Sequence, residues 1–137
     1  MEKFELKAYC DGAIKFALQF GKSFSYKAED IDAMEEILEI IHNDYIEKAI
    51  KDESAEKIAI SMGIYLGQVM LENKLSECGY EWIIDENQPC LAKNDANKMF
   101  PVTKVWKRIV NGIEDNVKSF YDIGIAIAEG RFPERGY

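Results

Sequence analysis

The sequence predicts an α+β fold in which about five helices surround a small antiparallel sheet. Apolar residues recur at three- and four-residue steps along most of the chain, whereas residues 80–100 contain an alternating stretch at residues 80–85 and short segments separated by turn residues. The 137 residues, 47% of them hydrophobic and 31% charged, are typical of one globular domain. We therefore expect a single domain over residues 1–137, with two or three strands in residues 80–100 packed on a central helix, residues 55–76.

The first two helices are predicted from their apolar faces. Residues 7–20 carry one such face, and Gly21 is a plausible end for that helix. Residues 22–28 then form a loop, and Asp30 is expected to cap the second helix. The predicted inward faces are, in the first helix, Tyr9, Ala13, Phe16, Ala17 and Phe20, and in the second, Ile31, Met34, Ile37, Leu38, Ile40, Ile41 and Tyr45.

The third helix, residues 55–76 after a Ser54 cap, differs from the others because it is apolar nearly all round. Such a helix is usually covered on several sides by the rest of the protein. Within it, Ala59, Gly63 and Gly67 form a row at four-residue steps. Because each helical glycine costs about 1 kcal/mol relative to alanine, this row predicts the close approach of a neighbouring element.

The strands follow this helix. Tyr80, Trp82 and Ile84 alternate with Glu81 and Asp85, which predicts a half-buried strand. Residues 90–93 are a return strand and residues 98–100 a possible third. An isolated hairpin is marginal in water, so the sheet is expected to lie against the helices.

Two further helices complete the prediction. Pro101 fits the first turn of a helix that Gly112 ends. The last helix is expected over residues 114–129, and the tail, residues 131–137, is expected to be mobile.

Composition and charge exclude several classes of function. The net charge of −8 opposes nucleic acid binding, which depends on basic residues that neutralise phosphates, and Lys104, Lys107 and Arg108 form only a short basic cluster. No apolar run reaches the roughly 18 residues that a membrane span requires. We therefore expect neither a nucleic acid nor a membrane as partner.

The cysteines and the start of the chain indicate a compartment. Cys10, Cys78 and Cys90 cannot all pair within one chain, although Cys78 and Cys90 flank the hairpin. The first ten residues contain no basic region followed by an apolar stretch, so no signal peptide is predicted. Free thiols and a cytoplasmic location follow as expectations.

The residues give no catalytic site, no metal site and no cofactor. Glu39 and His42 share one helical face in a Glu-x-x-His step, as in di-iron bundles, but those bundles need a second such step. His42 is the only histidine of the chain, so we expect it to be an ordinary helix-surface residue.

A polar stripe on the third helix is the main candidate for a ligand site. It is formed by Ser61, Tyr65, Gln68 and Glu72. The structural interpretation is the outer edge of a packed helix, or buried groups that are bonded internally. The functional interpretation is a pocket lining for which Trp82 and Trp106 supply aromatic walls.

Several short motifs resemble a family of uncharacterised bacterial domains that carries the label domain of unknown function. The helix motif Gly-x-Tyr-Leu-Gly-Gln-Val lies at residues 63–69, and a Gly-x-x-Trp strand lies at residues 79–82. A Pro-x-x-x-Val stretch, a basic pair and an Asn-Gly pair follow in residues 101–112. The likeness covers about residues 20–121, with Gln68 where the pattern has glutamate. It implies the fold and a bacterial origin but no activity.

The leading functional hypothesis is a non-enzymatic bacterial protein that binds another protein, of an immunity or regulatory type. Glu35, Glu36 and Glu39 on the acidic face of the second helix are the candidate partner-binding residues. The alternative is a small-molecule-binding domain, or a cryptic enzyme, that uses the polar stripe. Assembly into a homo-oligomer stays open.

Overall fold

The computed structural model describes the backbone of residues 3–131 and the side chains of residues 5–131. It confirms the α+β class, with five helices and one three-stranded antiparallel sheet in the described residues. The elements in chain order are α1 (Lys3–Leu18), α2 (Asp30–Ile46), α3 (Asp52–Met70), a π-helical turn (Leu71–Leu75), β1 (Glu81–Asp85), β2 (Gln88–Asn94), β3 (Asn97–Met99), α4 (Pro101–Asn111), a 3-10 turn (Ile113–Asp115) and α5 (Val117–Ala128).

Helix α3 lies at the centre of the molecule, as its apolar circumference predicts. It packs against α1, α2, α4, α5 and β2. Its side chains Met62, Ile64, Leu66, Val69 and Met70 are completely buried. Removal of this apolar surface from water is the main stabilising contribution to such a core.

The glycine row of α3 marks the close approach that the sequence predicts. A Cβ atom on Gly63 would lie 2.4 Å from the Cα atom of Val102, so the backbone of α4 reaches α3 at this point. A Cβ atom on Gly67 would lie 2.4 Å from the indole ring of Trp82 and 3.1 Å from Pro101. The two glycines therefore admit α4 and the sheet onto one side of α3.

The sheet has the strand order β1-β2-β3 and both pairings are antiparallel. Trp82 pairs with Leu91, and Leu91 pairs with Met99, so these three side chains lie on the same face of the sheet. This face packs against α3, because the ring of Trp82 lies beside Gly67. Leu91 and Met99 are buried there. The strands predicted between residues 80 and 100 are thus confirmed, and β3 begins one residue earlier than predicted.

Two predicted helix caps are wrong. Helix α3 begins at Asp52 with Lys51 at the cap position, so Ser54 lies inside its first turn. Asp30 makes no cap for α2, because its carboxylate accepts the backbone N–H groups of Ser25 and Lys27 at 2.8 and 3.2 Å. A carboxylate that is bonded to the preceding loop closes that loop instead of the helix that follows it.

The last helix starts later than predicted. Residues 113–115 form the separate 3-10 turn, and the Asn116 side chain accepts the backbone N–H of Ser119 at 2.7 Å, which caps α5.

Two residues predicted to face inward, Tyr9 and Ile40, are 38% and 47% exposed. The third helix is also divided, because its last turn is the π-helical segment. Of the tail that was predicted to be mobile, residues 131–137, only Arg131 lies within the described residues.

Candidate functional site

The hydroxyl of Tyr65, a residue of the predicted polar stripe, is completely buried and bonded within the protein. It donates to the Asp30 carboxylate at 2.5 Å and accepts the backbone N–H of Tyr26 at 2.8 Å, while the ring stacks on Phe24 at 4.5 Å. Burial and the bond to Asp30 raise the pKa of Tyr65 well above its ordinary value. Tyr65 therefore attaches the loop between α1 and α2 to the central helix.

The next stripe residues attach the sheet. The indole N–H of Trp82 donates to Gln68 Oε1 at 3.0 Å, and Gln68 Nε2 donates to Glu72 at 2.9 Å. Ser61 faces α1, because a Cβ atom on Gly12 would lie 3.7 Å from its Oγ atom. In the described part of the chain the stripe thus contacts three different elements. It brings Gln68, Glu72 and Trp82 together through hydrogen bonds, whereas Trp106 lines a groove with other residues.

A buried ion pair that the sequence analysis missed involves the acidic face of α2. Arg108 is 1% exposed, and its Nε and Nη2 atoms donate to Glu35 at 2.8 Å and Glu39 at 2.9 Å. The second carboxylate oxygen of Glu35 accepts the backbone N–H of Lys118 at 2.9 Å, so Glu35 joins α2 to α4 and α5. Nη1 of Arg108 is buried without a partner among the described residues.

This arrangement pairs two of the three predicted partner-binding residues with Arg108: Glu35, whose side chain is 16% exposed, and Glu39, whose side chain is 50% exposed. Glu36, the third member, forms an exposed ion pair with Lys22 at 3.0 Å. The basic cluster around Arg108 is also divided, because Lys104 pairs with Asp115 at 3.1 Å. Helical periodicity does not reveal such pairs, since their members lie on separate helices.

His42 and the cysteines have structural surroundings. Nδ1 of His42 lies 2.7 Å from the carbonyl oxygen of Ile109, and the imidazole ring packs against Gly112. All three cysteines are free thiols, and burial raises the pKa of Cys10 to about 11. Within residues 5–131, no group of three or more His, Cys, Asp and Glu side chains is arranged to hold a metal ion.

Trp106 lines an apolar groove between α3 and α4, which we call the α3–α4 groove. The groove has a volume of 340 Å³ and is lined by Glu56, Ala59, Ile60, Val102, Thr103 and Trp106. Val102 and Trp106 are one helical turn apart, so they present the same face of α4. The close contact at Gly63 fixes the distance between the two helices.

A second hollow adjoins the groove at Trp106. It has a volume of 540 Å³ and is lined by Tyr45, Ile46, Lys48, Ile50, Lys51, Asp52 and Val110. The rings of Tyr45 and Trp106 meet edge to face, with centroids 6.0 Å apart. A hydrogen bond to Asp52, then burial, then the negative charges of Asp52 and Glu56 raise the pKa of Tyr45. Because Tyr45 and Asp52 line the hollow while Glu56 and Trp106 line the groove, the ring contact makes the two aromatic rings and the two carboxylates neighbours.

The fold defines a helical α+β protein in which a small antiparallel sheet and four helices pack on one central helix. The family model described as a domain of unknown function (DUF3806) matches residues 34–121, which is more than half of the chain. The chain belongs to this family, and the resemblance to a domain of unknown function is confirmed. Comparisons with curated proteins and with solved structures found no match. None of the described helices has the length and apolarity needed to cross a membrane.

Proposed function

We propose that this protein is a non-enzymatic, cytoplasmic protein-binding module whose contact surface is the α3–α4 groove. The observation that carries the proposal is a solvent-open, apolar groove with a partly exposed tryptophan as one wall. Tryptophan is enriched among the residues that dominate binding energy at protein interfaces. A partner side chain that enters the groove would bury the ring of Trp106 and the side chains of Ile60 and Val102.

The reactive side chains outside the groove support binding rather than catalysis. The Cys10 thiol, with its pKa of about 11, is almost entirely protonated at neutral pH and is a poor nucleophile. The Tyr65 hydroxyl is bonded to Asp30, and His42 is bonded to a backbone carbonyl. The free thiols of all three cysteines fit the reducing cytosol.

The groove is a better candidate than the acidic face of α2. Glu35 and Glu39 balance the buried charge of Arg108, so a partner that bound them would compete with an internal ion pair. Glu36, whose side chain is 65% exposed, remains available at the margin of such a surface.

A small-molecule ligand is the second candidate. The volumes of the groove and the adjoining hollow, 340 and 540 Å³, lie in the usual range of ligand pockets. This candidate uses Trp106 of the predicted set and leaves Tyr65 and Gln68 in structural roles.

Site-specific photo-crosslinking in the native cell tests the proposal. A photoreactive amino acid at position 103, in the groove, is expected to form a covalent adduct with one protein. The same group at position 54 is the control, because Ser54 is exposed and lies about 200° around α3 from Glu56.

Trp106→Ala added to the position-103 protein should remove the adduct, while the helical circular dichroism signal should be retained. Equal adducts at positions 103 and 54, or none at position 103, would contradict the proposal. A bound compound of a few hundred daltons in native mass spectrometry, without a protein adduct, would favour the small-molecule candidate.

A further inference from the structure

Four side chains at the junction of the groove and the hollow combine aromatic and acidic character. They are Tyr45 at the end of α2, Asp52 and Glu56 on α3, and Trp106 on α4, and we call them the aromatic–acidic cluster. Tyr45 and Trp106 are in ring contact, Asp52 lines the hollow with Tyr45, and Glu56 lines the groove with Trp106. Glu56 is the one charged residue among the six that line the α3–α4 groove.

We propose that the aromatic–acidic cluster binds the side chain of a lysine or arginine supplied by the protein partner. The proposal rests on the proposed function and names the chemistry of the anchor that the groove receives. The cationic head lies between the carboxylates of Glu56 and Asp52 and the ring of Trp106. Its methylene stem lies along Ile60 and Val102.

The chemistry of the cluster favours a cation over other anchors. Indole is the side-chain ring that attracts a cation most strongly, and the solvent-exposed carboxylate of Glu56 adds a charged hydrogen-bond acceptor. Lysine and arginine also carry an apolar stem, which suits a groove that is mainly aliphatic beyond the cluster. A neutral apolar anchor would leave Glu56 beside it without a compensating charge.

Charge complementarity points to a basic partner protein. The chain has a net charge of −8, so it attracts positively charged surfaces at a distance and orients them before contact. Lys48 and Lys51, which line the adjoining hollow, are the competing cations of the chain itself. The partner side chain is therefore expected to enter from the α3–α4 groove, whose lining holds no basic residue.

Nuclear magnetic resonance provides a test that does not require the partner. The probe is Nα-acetyl-lysine N-methylamide, and its matched neutral control is the norleucine analogue, which has the same stem without the ammonium group. The chain has two tryptophans, so the indole N–H signal of Trp82, bonded to Gln68, is an internal reference for that of Trp106. The lysine probe should shift the Trp106 signal saturably at millimolar concentration, leave the Trp82 signal in place, and bind more tightly than the norleucine probe.

Variants on α3 test the charge. Glu56→Gln should weaken binding of the lysine probe by about two- to five-fold, because one exposed ion pair contributes up to about 1 kcal/mol. Glu53→Gln is the control, because Glu53 is an exposed acid of the same helix that does not line the groove.

Three results would overturn the inference. They are an unchanged Trp106 signal, equal affinity for the lysine and norleucine probes, or a tetramethylammonium ion that binds more tightly than the lysine probe. The last result would assign the cluster to a free quaternary ammonium compound. Crosslinking at position 103 detects a protein partner whichever side chain that partner places in the groove. An adduct at position 103 together with any of these three results would therefore support the proposed function and reject the lysine or arginine anchor.

Discussion

Replacing Gly63 by alanine tests whether the contact between α3 and α4 organises the molecule. The new Cβ atom would lie 2.4 Å from the Cα atom and 2.8 Å from the backbone nitrogen of Val102. Ordinary contacts of this kind begin near 3.4 Å, so α4 would have to move away from α3. The obstructing atoms are backbone atoms in the first turn of a helix, and they cannot rotate aside as a flexible side chain can.

The expected loss follows from two opposing effects. Alanine in place of glycine favours a helix by about 1 kcal/mol. Overpacking of a well-packed interior costs about 1–3 kcal/mol, and a backbone obstruction places Gly63→Ala near the upper end of that range. We therefore expect the free energy of unfolding to fall by about 2 kcal/mol.

Urea denaturation followed by circular dichroism measures this change, with Gly12→Ala as the matched control. Gly12 also lies inside a helix, but the nearest atom to its added Cβ is Ser61 Oγ at 3.7 Å, an ordinary contact. Gly12→Ala should therefore stabilise the protein by about 0.5–1 kcal/mol. If Gly63→Ala were as stable as the wild type, or if both variants lost equal stability, the reasoning would be refuted.

Three further predictions concern the buried polar groups and the limits of the folding unit. Arg108→Ala should lower the free energy of unfolding by about 3–5 kcal/mol because it leaves Glu35 without its charge partner, and a thermal melt as stable as the wild type would contradict this role. Since folding raises the pKa of Cys10 to about 11 and that of Tyr65 further, the unfolded chain loses these protons first. Stability should thus be retained near pH 8 and fall by about 1.4 kcal/mol per pH unit between about pH 9 and 11 for Cys10, and by the same slope above about pH 10 for Tyr65. The fall above about pH 10 should therefore be shallower in Tyr65→Phe when stability is measured by urea titration. A fragment of residues 34–121 should not fold alone, because it lacks α1 and the loop that Tyr65 anchors; a cooperative thermal transition in that fragment would show otherwise.

The elements that the sequence predicted well are those whose pattern directly reflects burial. A helix that is apolar nearly all round must be covered by other elements on several sides, and α3 is covered in this way because it lies at the centre of the molecule. A glycine row is costly unless something packs against it, and the backbone of α4 and the ring of Trp82 occupy that space. The pattern that predicted β1 also located the strand, but only Trp82 follows it fully: its ring packs against Gly67 of α3, whereas Ile84 is 49% exposed.

Helix ends were predicted less well because one residue type can serve competing local bonds. Asp30 had the identity and position of a helix cap, yet its carboxylate is bonded to the loop before the helix. The sequence does carry a cap signal at the last helix, because Asn116 precedes Ser119 by three residues, a spacing typical of a cap that accepts a backbone N–H.

The candidate site was predictable only in part because it depends on contacts between distant helices. Trp106 was identified as an aromatic wall, and the structure places it in a groove. Its neighbours Tyr45 and Glu56 belong to two other helices, so no spacing in the sequence connects them to Trp106. The pairing of Arg108 with Glu35 could not be predicted for the same reason, because the two residues are 73 positions apart and belong to different helices.

Native-state hydrogen exchange of the α3 backbone shows whether this helix is the core on which the groove and the sheet are built. We expect the amides of residues 58–70 to exchange only through global unfolding, with the free energy of unfolding that urea denaturation measures. Exchange of these amides as fast as that of the exposed turns at residues 86–87 and 95–96 would contradict it.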